Sequence, residues 1–258
     1  MRLRGATIYG DAWAAWRRDW HVLTAVAGMF VFLPQLALLL VIVSSFPDLS
    51  KIETADLNDP AFRAGVEGVR TWLGSYGLAY LAAILAITFG QFAIVALYLA
   101  ERRVTVGRAL VTALTLLPRL FLAWAIWTVP LVLLSPLLLL VPFLIVPIIT
   151  LMLARMLLVG PAILAARPIG AVAAVGRSYT LTRGYMLLLG GVVLSVVLAQ
   201  YLLAMPFLAL DQWIAANAPN PVARTIVDTI GAAIAALGAI AMALVQVSVW
   251  RRLGPSSS

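Results

Sequence analysis

Arg155 is the residue whose position most suggests chemistry, because it interrupts an otherwise apolar run from Leu120 to Ala166. An ionisable side chain inside a run of membrane length is costly to bury and is a functional candidate by default. We favour a guanidinium that reaches anionic lipid headgroups from the end of the run or forms an ion pair with Asp19 or Glu101. The alternative is a transport role, in which Arg155, Gln91 and Gln200 meet in a hydrated cavity.

Other polar residues in the apolar runs are a carboxylate and several amides. Asp228 is interpreted as a hydrated interfacial carboxylate or a partner of Arg224, with a proton or substrate role as the alternative. Amides in such runs form interhelical hydrogen bonds or line a substrate path, and we favour the hydrogen bonds. These amides belong to Gln35, Gln91, Gln200 and Gln246.

The side chains of common catalytic sites are scarce. The sequence has no cysteine and one histidine, His21, which argues against a thiolate nucleophile and against a Cys- or His-based metal site. It contains no phosphate-binding P-loop, zincin helix or nucleophile elbow. We therefore expect no catalytic residues, no metal and no cofactor, and predict that the protein is not an enzyme.

Long apolar helices must position these residues. The 258-residue chain is 64% hydrophobic and 11% charged, whereas soluble domains are about 45–50% apolar and about 25% charged. A helix needs about 20 apolar residues to cross a bilayer. The sequence predicts one all-α membrane domain over 1–258, a polytopic transmembrane bundle with about six spans near 21–45, 72–100, 116–135, 138–160, 185–208 and 226–249.

Two connections between spans have local signals. The third and fourth spans form one unbroken apolar stretch, which we predict to turn at Ser135-Pro136, with Pro142 and Pro147 as alternatives. Residues 46–71 are predicted to form an external cap, in which Asp59-Pro60 starts a helix as N-cap and first helical residue.

The cations divide unevenly between the two sides of the predicted bundle. Of the 18 Lys and Arg, 14 lie on the side of the termini and four lie on the other. The positive-inside rule therefore puts both termini in the cytoplasm. We interpret the net charge of +8 as a topology signal rather than as a nucleic-acid surface.

Three amphipathic segments on the predicted cytoplasmic side each precede an apolar hairpin. We predict an interfacial helix over 1–20 and elbow helices over 101–118 and 166–184. Three helix-hairpin repeats are one interpretation of this order, and convergent membrane patterning is the other. The candidate contacts to anionic headgroups are Arg119, Arg155, Arg177 and Arg183, with Ser178 beside them.

Small residues recur every four positions in the last span. This spacing puts them on one helical face, where a second helix can approach closely. The predicted packing seam consists of Gly231, Ala235, Ala239 and Ala243.

The stretch from Arg155 to Gly184 carries a resemblance. It reads Arg155-x5-Pro161-Ala162-Ile163-Leu164, then Gly170-Ala171, then Arg177-Ser178-Tyr179-x-Leu181-Thr182-Arg183-Gly184, and Asp11-Ala12-Trp13 with Arg17-Arg18 fits the same pattern. It is similar to the bacterial family of glycerophosphoryl diester phosphodiesterase membrane domains over nearly the whole chain. The resemblance implies a six-span protein of the bacterial cytoplasmic (inner) membrane. It carries over no catalytic residue, since a metal-dependent phosphodiesterase needs clustered carboxylate and histidine ligands.

Two functions fit these patterns. We favour a non-enzymatic integral membrane protein that contacts lipid headgroups or partner membrane proteins, including further copies of itself, and no nucleic acid. The alternative is a small permease or transporter subunit for a lipid-like or small-molecule substrate, which would use the polar residues of the spans.

Overall fold

Long apolar helices dominate the fold. The computed structural model describes residues 3–43, 45–47, 59–99, 105–139, 145–166, 169–217 and 220–254. Within these ranges the regular elements are all helical, and six helices are long and apolar enough to cross a membrane. This confirms the predicted all-α, six-span bundle. The six run over Gly5–Ile42, Pro60–Leu99, Val106–Ile126, Ile148–Ala165, Met186–Asn217 and Pro221–Leu253.

The first long helix is bent and locally widened. Its initial part, α1 (Gly5–Ala27), is interrupted at Asp19, whose φ of −119° and ψ of 18° are not helical. Two π-helical segments, Gly28–Phe32 and Leu38–Val43, flank the short α2 (Leu33–Ala37). Pro34 lies at the start of α2, and a proline lacks the amide that would continue the regular hydrogen-bond ladder. The kink separates the first predicted interfacial segment from the span.

The second long helix, α3, covers Pro60–Leu99. Asp59 caps it as predicted, since its Oδ1 accepts a hydrogen bond from the amide of Ala61 at 2.8 Å. The start of α3 occupies the second half of the predicted external cap, and 48–58 of that cap lie outside the described residues.

The predicted turn at Ser135-Pro136 is wrong. Helix α4 covers Val106–Leu139 and so continues through both residues, while α5 (Ile145–Met156) begins before Pro147. A proline removes one backbone hydrogen bond, and a helix in apolar surroundings keeps the others. Residues 140–144, which separate α4 from α5 in sequence and include Pro142, are outside the described residues. Helix α4 also includes most of the predicted elbow 101–118 without a break before the span.

The fourth span is discontinuous. It consists of α5 and α6 (Val159–Ala165), with a turn at Leu157 and Leu158 between them. Helix α7 (Ala171–Thr182) follows within the predicted elbow 166–184. The last two elements are the long helices α8 (Met186–Asn217) and α9 (Pro221–Leu253). The threefold repeat remains a prediction.

Helix α9 lies at the centre of the packing and contacts α1, α3 and α8. Its second half contains most of its buried residues, from Ala239 to Trp250. Helix α7 packs instead against α4, α5 and α6. Many large apolar side chains face outward, including Leu78 and Leu187, each 82% exposed. Such a surface suits lipid contact rather than water.

Candidate functional site

The start of α1 and the end of α9 meet at one end of the bundle. The Asp11 Oδ2 accepts hydrogen bonds from Arg252 Nη2 at 2.6 Å, Arg252 Nε at 2.9 Å and Ser248 Oγ at 3.1 Å. Tyr98 brings the end of α3 to the same end, and Arg177 of α7 lies beside Trp250. We call this the basic end, and it is the candidate functional site.

Tyr98, near the end of α3, holds the kink of α1. Its hydroxyl donates to Asp19 Oδ2 at 2.8 Å, and Arg18 Nη2 lies 2.9 Å from the same oxygen. Arg251 in turn donates to the carbonyl of Tyr98 at 3.1 Å. Asp19 is thus paired with Arg18 and Tyr98, and the proposed pairing of Arg155 with Asp19 is wrong. The other partner considered, Glu101, is outside the described residues.

Arg155 is bound by protein groups at the end of α7. Its Nη1 donates to the carbonyl of Tyr179 at 3.1 Å and to Thr182 Oγ1 at 3.4 Å. Its guanidinium carbon lies 4.2 Å from the centroid of the Tyr179 ring, a cation–π distance. A cation at the last carbonyls of a helix also complements the helix dipole. These contacts favour a structural role for Arg155 over a lipid contact.

Ser178 bridges the break in the fourth span. Its hydroxyl donates to the carbonyl of Arg155 at 2.5 Å and accepts from the amide of Leu158 at 3.2 Å. One α7 side chain therefore satisfies a backbone acceptor and a backbone donor that flank the break, where unpaired groups would be costly. Ser178 is 0% exposed, so the idea that it contacts headgroups is wrong. The sequence gives no local signal for this role.

The other predicted headgroup arginines differ in their surroundings. Arg119 is exposed and donates to the carbonyl of Ile169 at 3.5 Å, a weak contact. Arg177 is half-buried, with its guanidinium carbon 5.9 Å from the Trp250 ring. Arg183 is exposed and makes no side-chain hydrogen bond or ion pair with a described residue. The same holds for several arginines that were not predicted as headgroup contacts, among them Arg17 and Arg108.

The opposite end carries a separate ion pair. Arg224 Nε lies 2.9 Å from Asp211 Oδ1, which joins the end of α8 to the start of α9. Asp211, rather than the predicted Asp228, is therefore the ion-pair partner of Arg224. Asp228 is half-buried one turn further along α9.

The amides of the spans are distributed around α9. Gln91 Nε2 lies 3.5 Å from the carbonyl of Ala239, and Gln200 packs against Gly238. Gln246, on α9, has its Oε1 4.0 Å from the Cβ position of Gly160. Gln35 is half-buried in α2. Gln200 lines a cavity that includes neither Gln91 nor Arg155.

The predicted packing seam is partly buried. Ala239 is 9% and Ala243 is 0% exposed, whereas Gly231 and Ala235 are half-buried. A closer helix contact occurs at Gly90, which the sequence analysis missed. A Cβ there would lie 2.8 Å from Phe30 Cβ and 2.9 Å from Val31 Cγ2. A single glycine forms no periodic pattern, so the sequence does not indicate this contact.

Within the described ranges, no group of three His, Asp or Glu side chains is placed to hold a metal ion. Comparison with protein-family models, with curated proteins and with solved structures finds no match to this chain. The likeness to the membrane-domain family therefore stays a prediction from the motif around Arg155 to Gly184.

Proposed function

We propose that this chain is a non-enzymatic integral membrane protein whose basic end lies in the cytoplasm and binds anionic lipid headgroups. The observation that carries the proposal is the exposure of three arginines that have no described partner, Arg17, Arg108 and Arg183. The carboxylates of Asp11 and Asp19 at the same end are bonded to Arg252 and Arg18 instead.

The arginines of the basic end are of two kinds, those bonded to protein groups and those without a described partner. Arg252 has its charge compensated by the carboxylate of Asp11, and Arg155 has a guanidinium nitrogen engaged by a carbonyl and a hydroxyl of α7. An exposed arginine with no protein partner keeps its charge for the membrane surface. Near an anionic leaflet each such cation contributes about 1 kcal/mol of attraction. The orientation follows from the excess of cations at this end.

A lipid-retention experiment tests headgroup binding. The variant Arg108→Gln/Arg183→Gln should retain less phosphatidylglycerol than the native protein when both are released from detergent for native mass spectrometry. The control is Arg63→Gln/Arg70→Gln, which removes two charges from the opposite end and also removes the 3.7 Å contact between Arg70 and Glu67. The difference in phosphatidylglycerol retention between the native protein and Arg108→Gln/Arg183→Gln should shrink at high salt, because exposed charges are screened. Equal retention by the two double variants would contradict the proposal.

A labelling experiment tests the orientation. The chain has no cysteine, so single cysteines at the exposed Asn217 and Thr180 are unique targets. An impermeant thiol reagent should label Asn217→Cys in intact cells and should label Thr180→Cys after lysis only. The reverse pattern would place the basic end outside.

The permease alternative has one supporting observation, the break between α5 and α6. Discontinuous helices frequently build the substrate sites of transporters. Here, however, Ser178 satisfies the amide of Leu158 and the carbonyl of Arg155. These two backbone groups are therefore not left open to coordinate a substrate, which is why we favour headgroup binding.

A further inference from the structure

A groove runs beneath the first part of α1, between the facing sides of α8 and α9. It consists of two adjoining cavities of about 440 and 490 Å³. Both volumes fall within the range of about 300–1,000 Å³ that is typical of small-molecule sites. The two cavities share four lining residues, and we call them together the Tyr9 groove. The shared residues are Tyr9, Val196, Leu237 and Ala241.

The walls of the Tyr9 groove are almost wholly apolar. Trp13 and Trp16 line one cavity, and Leu203 and Ile234 line the other, where Gln200 is the one amide. Trp13 is 61% and Leu203 is 60% exposed, so the groove opens sideways from the bundle. In a membrane that side is hydrocarbon, and an apolar groove gains contacts only when an apolar group fills it.

Tyr9 lines both lobes of the groove and reaches across it from α1 to α8. Its hydroxyl is hydrogen-bonded to Ser195 Oγ in α8. Ser195 donates its own proton to the carbonyl of Val192 at 2.8 Å, and a serine hydroxyl has one proton to give. Tyr9 is therefore the donor in the bond to Ser195, and its ring crosses from α1 to α8.

The Tyr9 side chain that crosses the groove decides what kind of occupant fits. A helix with its side chains is about 10–12 Å across and needs one continuous trough. The ring of Tyr9 interrupts such a trough, whereas a flexible hydrocarbon chain can pass beside it. A cation on the same helix suits an anionic headgroup. Arg17 lies one residue after Trp16 in α1 and on a different side of that helix, is exposed, and is not bonded to any residue in the described part of the chain.

We infer that the Tyr9 groove binds an acyl chain of an anionic phospholipid whose phosphate lies beside Arg17. The inference rests on the proposed headgroup function and adds to it a specific site. Trp13 and Trp16 form the wall next to the headgroup, as expected for aromatic residues at a membrane interface. The other acyl chain of the same lipid stays in the bilayer.

Filling the groove tests the inference. Ala241→Phe places a ring where both lobes meet, and Ala199→Phe fills the second lobe from an exposed position that the fold tolerates. The matched control is Leu202→Phe, on the outer face of α8 and outside the groove lining. Each full-length protein is purified in detergent with dioleoyl phosphatidylglycerol or dioleoyl phosphatidylcholine, and the lipid that it retains is counted by native mass spectrometry.

We expect the native protein and Leu202→Phe to retain one lipid that Ala241→Phe and Ala199→Phe lose, with at least a tenfold drop in occupancy. Arg17→Gln should reduce the preference for phosphatidylglycerol over phosphatidylcholine by about fivefold, as the loss of one interfacial cation implies. A lipid with brominated acyl chains should also quench tryptophan fluorescence in the native protein more than in Ala241→Phe.

Three results would overturn the inference. The first is equal retention by the filled variants and the control. The second is a dimer that Ala241→Phe abolishes, which would make a second copy of the chain the occupant. The third is a preference for phosphatidylglycerol that survives Arg17→Gln.

If Ala241→Phe loses a lipid but no variant affects headgroup preference, acyl-chain binding in the groove remains, while the contact with Arg17 and the proposed headgroup function both fail. If only Arg108→Gln/Arg183→Gln lowers lipid retention, the proposed headgroup function remains and the acyl-chain site in the Tyr9 groove fails.

Discussion

Arg252 and Asp11 lie 241 positions apart in sequence, and their side chains are joined at 2.6 Å. Ser248, one turn before Arg252, donates to the same carboxylate oxygen. The last turns of α9 are therefore fastened to the beginning of α1. This contact also places the segment that carries Tyr9 and Trp13 over the groove between α8 and α9.

We predict measurable coupling between Asp11 and Arg252. A double-mutant cycle with Asp11→Asn and Arg252→Gln should give an interaction of about 0.2–1 kcal/mol, the range for partly exposed ion pairs. Unfolding of the full-length protein in mixed detergent and denaturant measures it. Pairing Asp11→Asn with Arg183→Gln provides the control and should give no coupling. Additive effects of Asp11→Asn and Arg252→Gln would show that the contact contributes nothing to stability.

Ser178→Ala should destabilise the protein by about 1–3 kcal/mol, because it leaves the buried amide of Leu158 and the partly buried carbonyl of Arg155 without their partner. The comparison is with Thr180→Ala in the same helix. Thr180 is exposed and donates only to the carbonyl of Gly176 within α7. A lower thermal midpoint for Ser178→Ala than for Thr180→Ala is the expected result. Identical midpoints would mean that water or lipid replaces the hydroxyl.

Gly90→Ala should force α3 away from the first long helix at Phe30 and Val31. The new methyl would meet a Cβ atom and a branched methyl, neither of which can swing aside easily. Overpacking of this kind typically costs about 1–3 kcal/mol. Gly191→Ala is the control, since no atom lies within 4 Å of its Cβ position, and alanine favours helix there. A thermal midpoint of Gly90→Ala at or above that of Gly191→Ala would refute the close contact.

Arg155 and Arg183 should show opposite effects on stability and lipid retention. Arg155→Gln removes a charged hydrogen-bond donor from the end of α7 and should cost about 1.5–3 kcal/mol of stability, with retained phosphatidylglycerol unchanged. Arg183→Gln should lower phosphatidylglycerol retention and leave the thermal midpoint unchanged. Thermal melts and native mass spectrometry on the same preparations measure both. Loss of lipid from Arg155→Gln alone would identify it as the headgroup contact.

The sequence predicted the spans well because membrane length and apolar composition are local properties. It was wrong at Ser135-Pro136, since a proline weakens a helix locally without deciding where the chain reverses. The seam on α9 was found in part: periodicity identifies a helical face, and the buried Ala239 and Ala243 lie on it. How deeply each position on that face is buried depends on which helices cross there.

The basic end was predictable as a charge excess and not as a set of contacts. Counting arginines identified the end, but it could not distinguish Arg155, bonded to Tyr179, from Arg183, which has no described partner. These pairings join residues that are far apart in sequence. The structure also moved the ion-pair partner of Arg224 from Asp228 to Asp211, because adjacent helix ends meet across a connection.

The hydrogen bonds of Ser178 imply an order of assembly for the fourth span and α7. Translation delivers Leu158 before Ser178, so the broken span emerges from the ribosome before the side chain that completes it. At ribosomal rates of about 5–20 residues per second, Ser178 follows Leu158 after about 1–4 seconds. The fourth span therefore reaches its final form only after α7 has left the ribosome and docked, which makes assembly of this half of the bundle sequential.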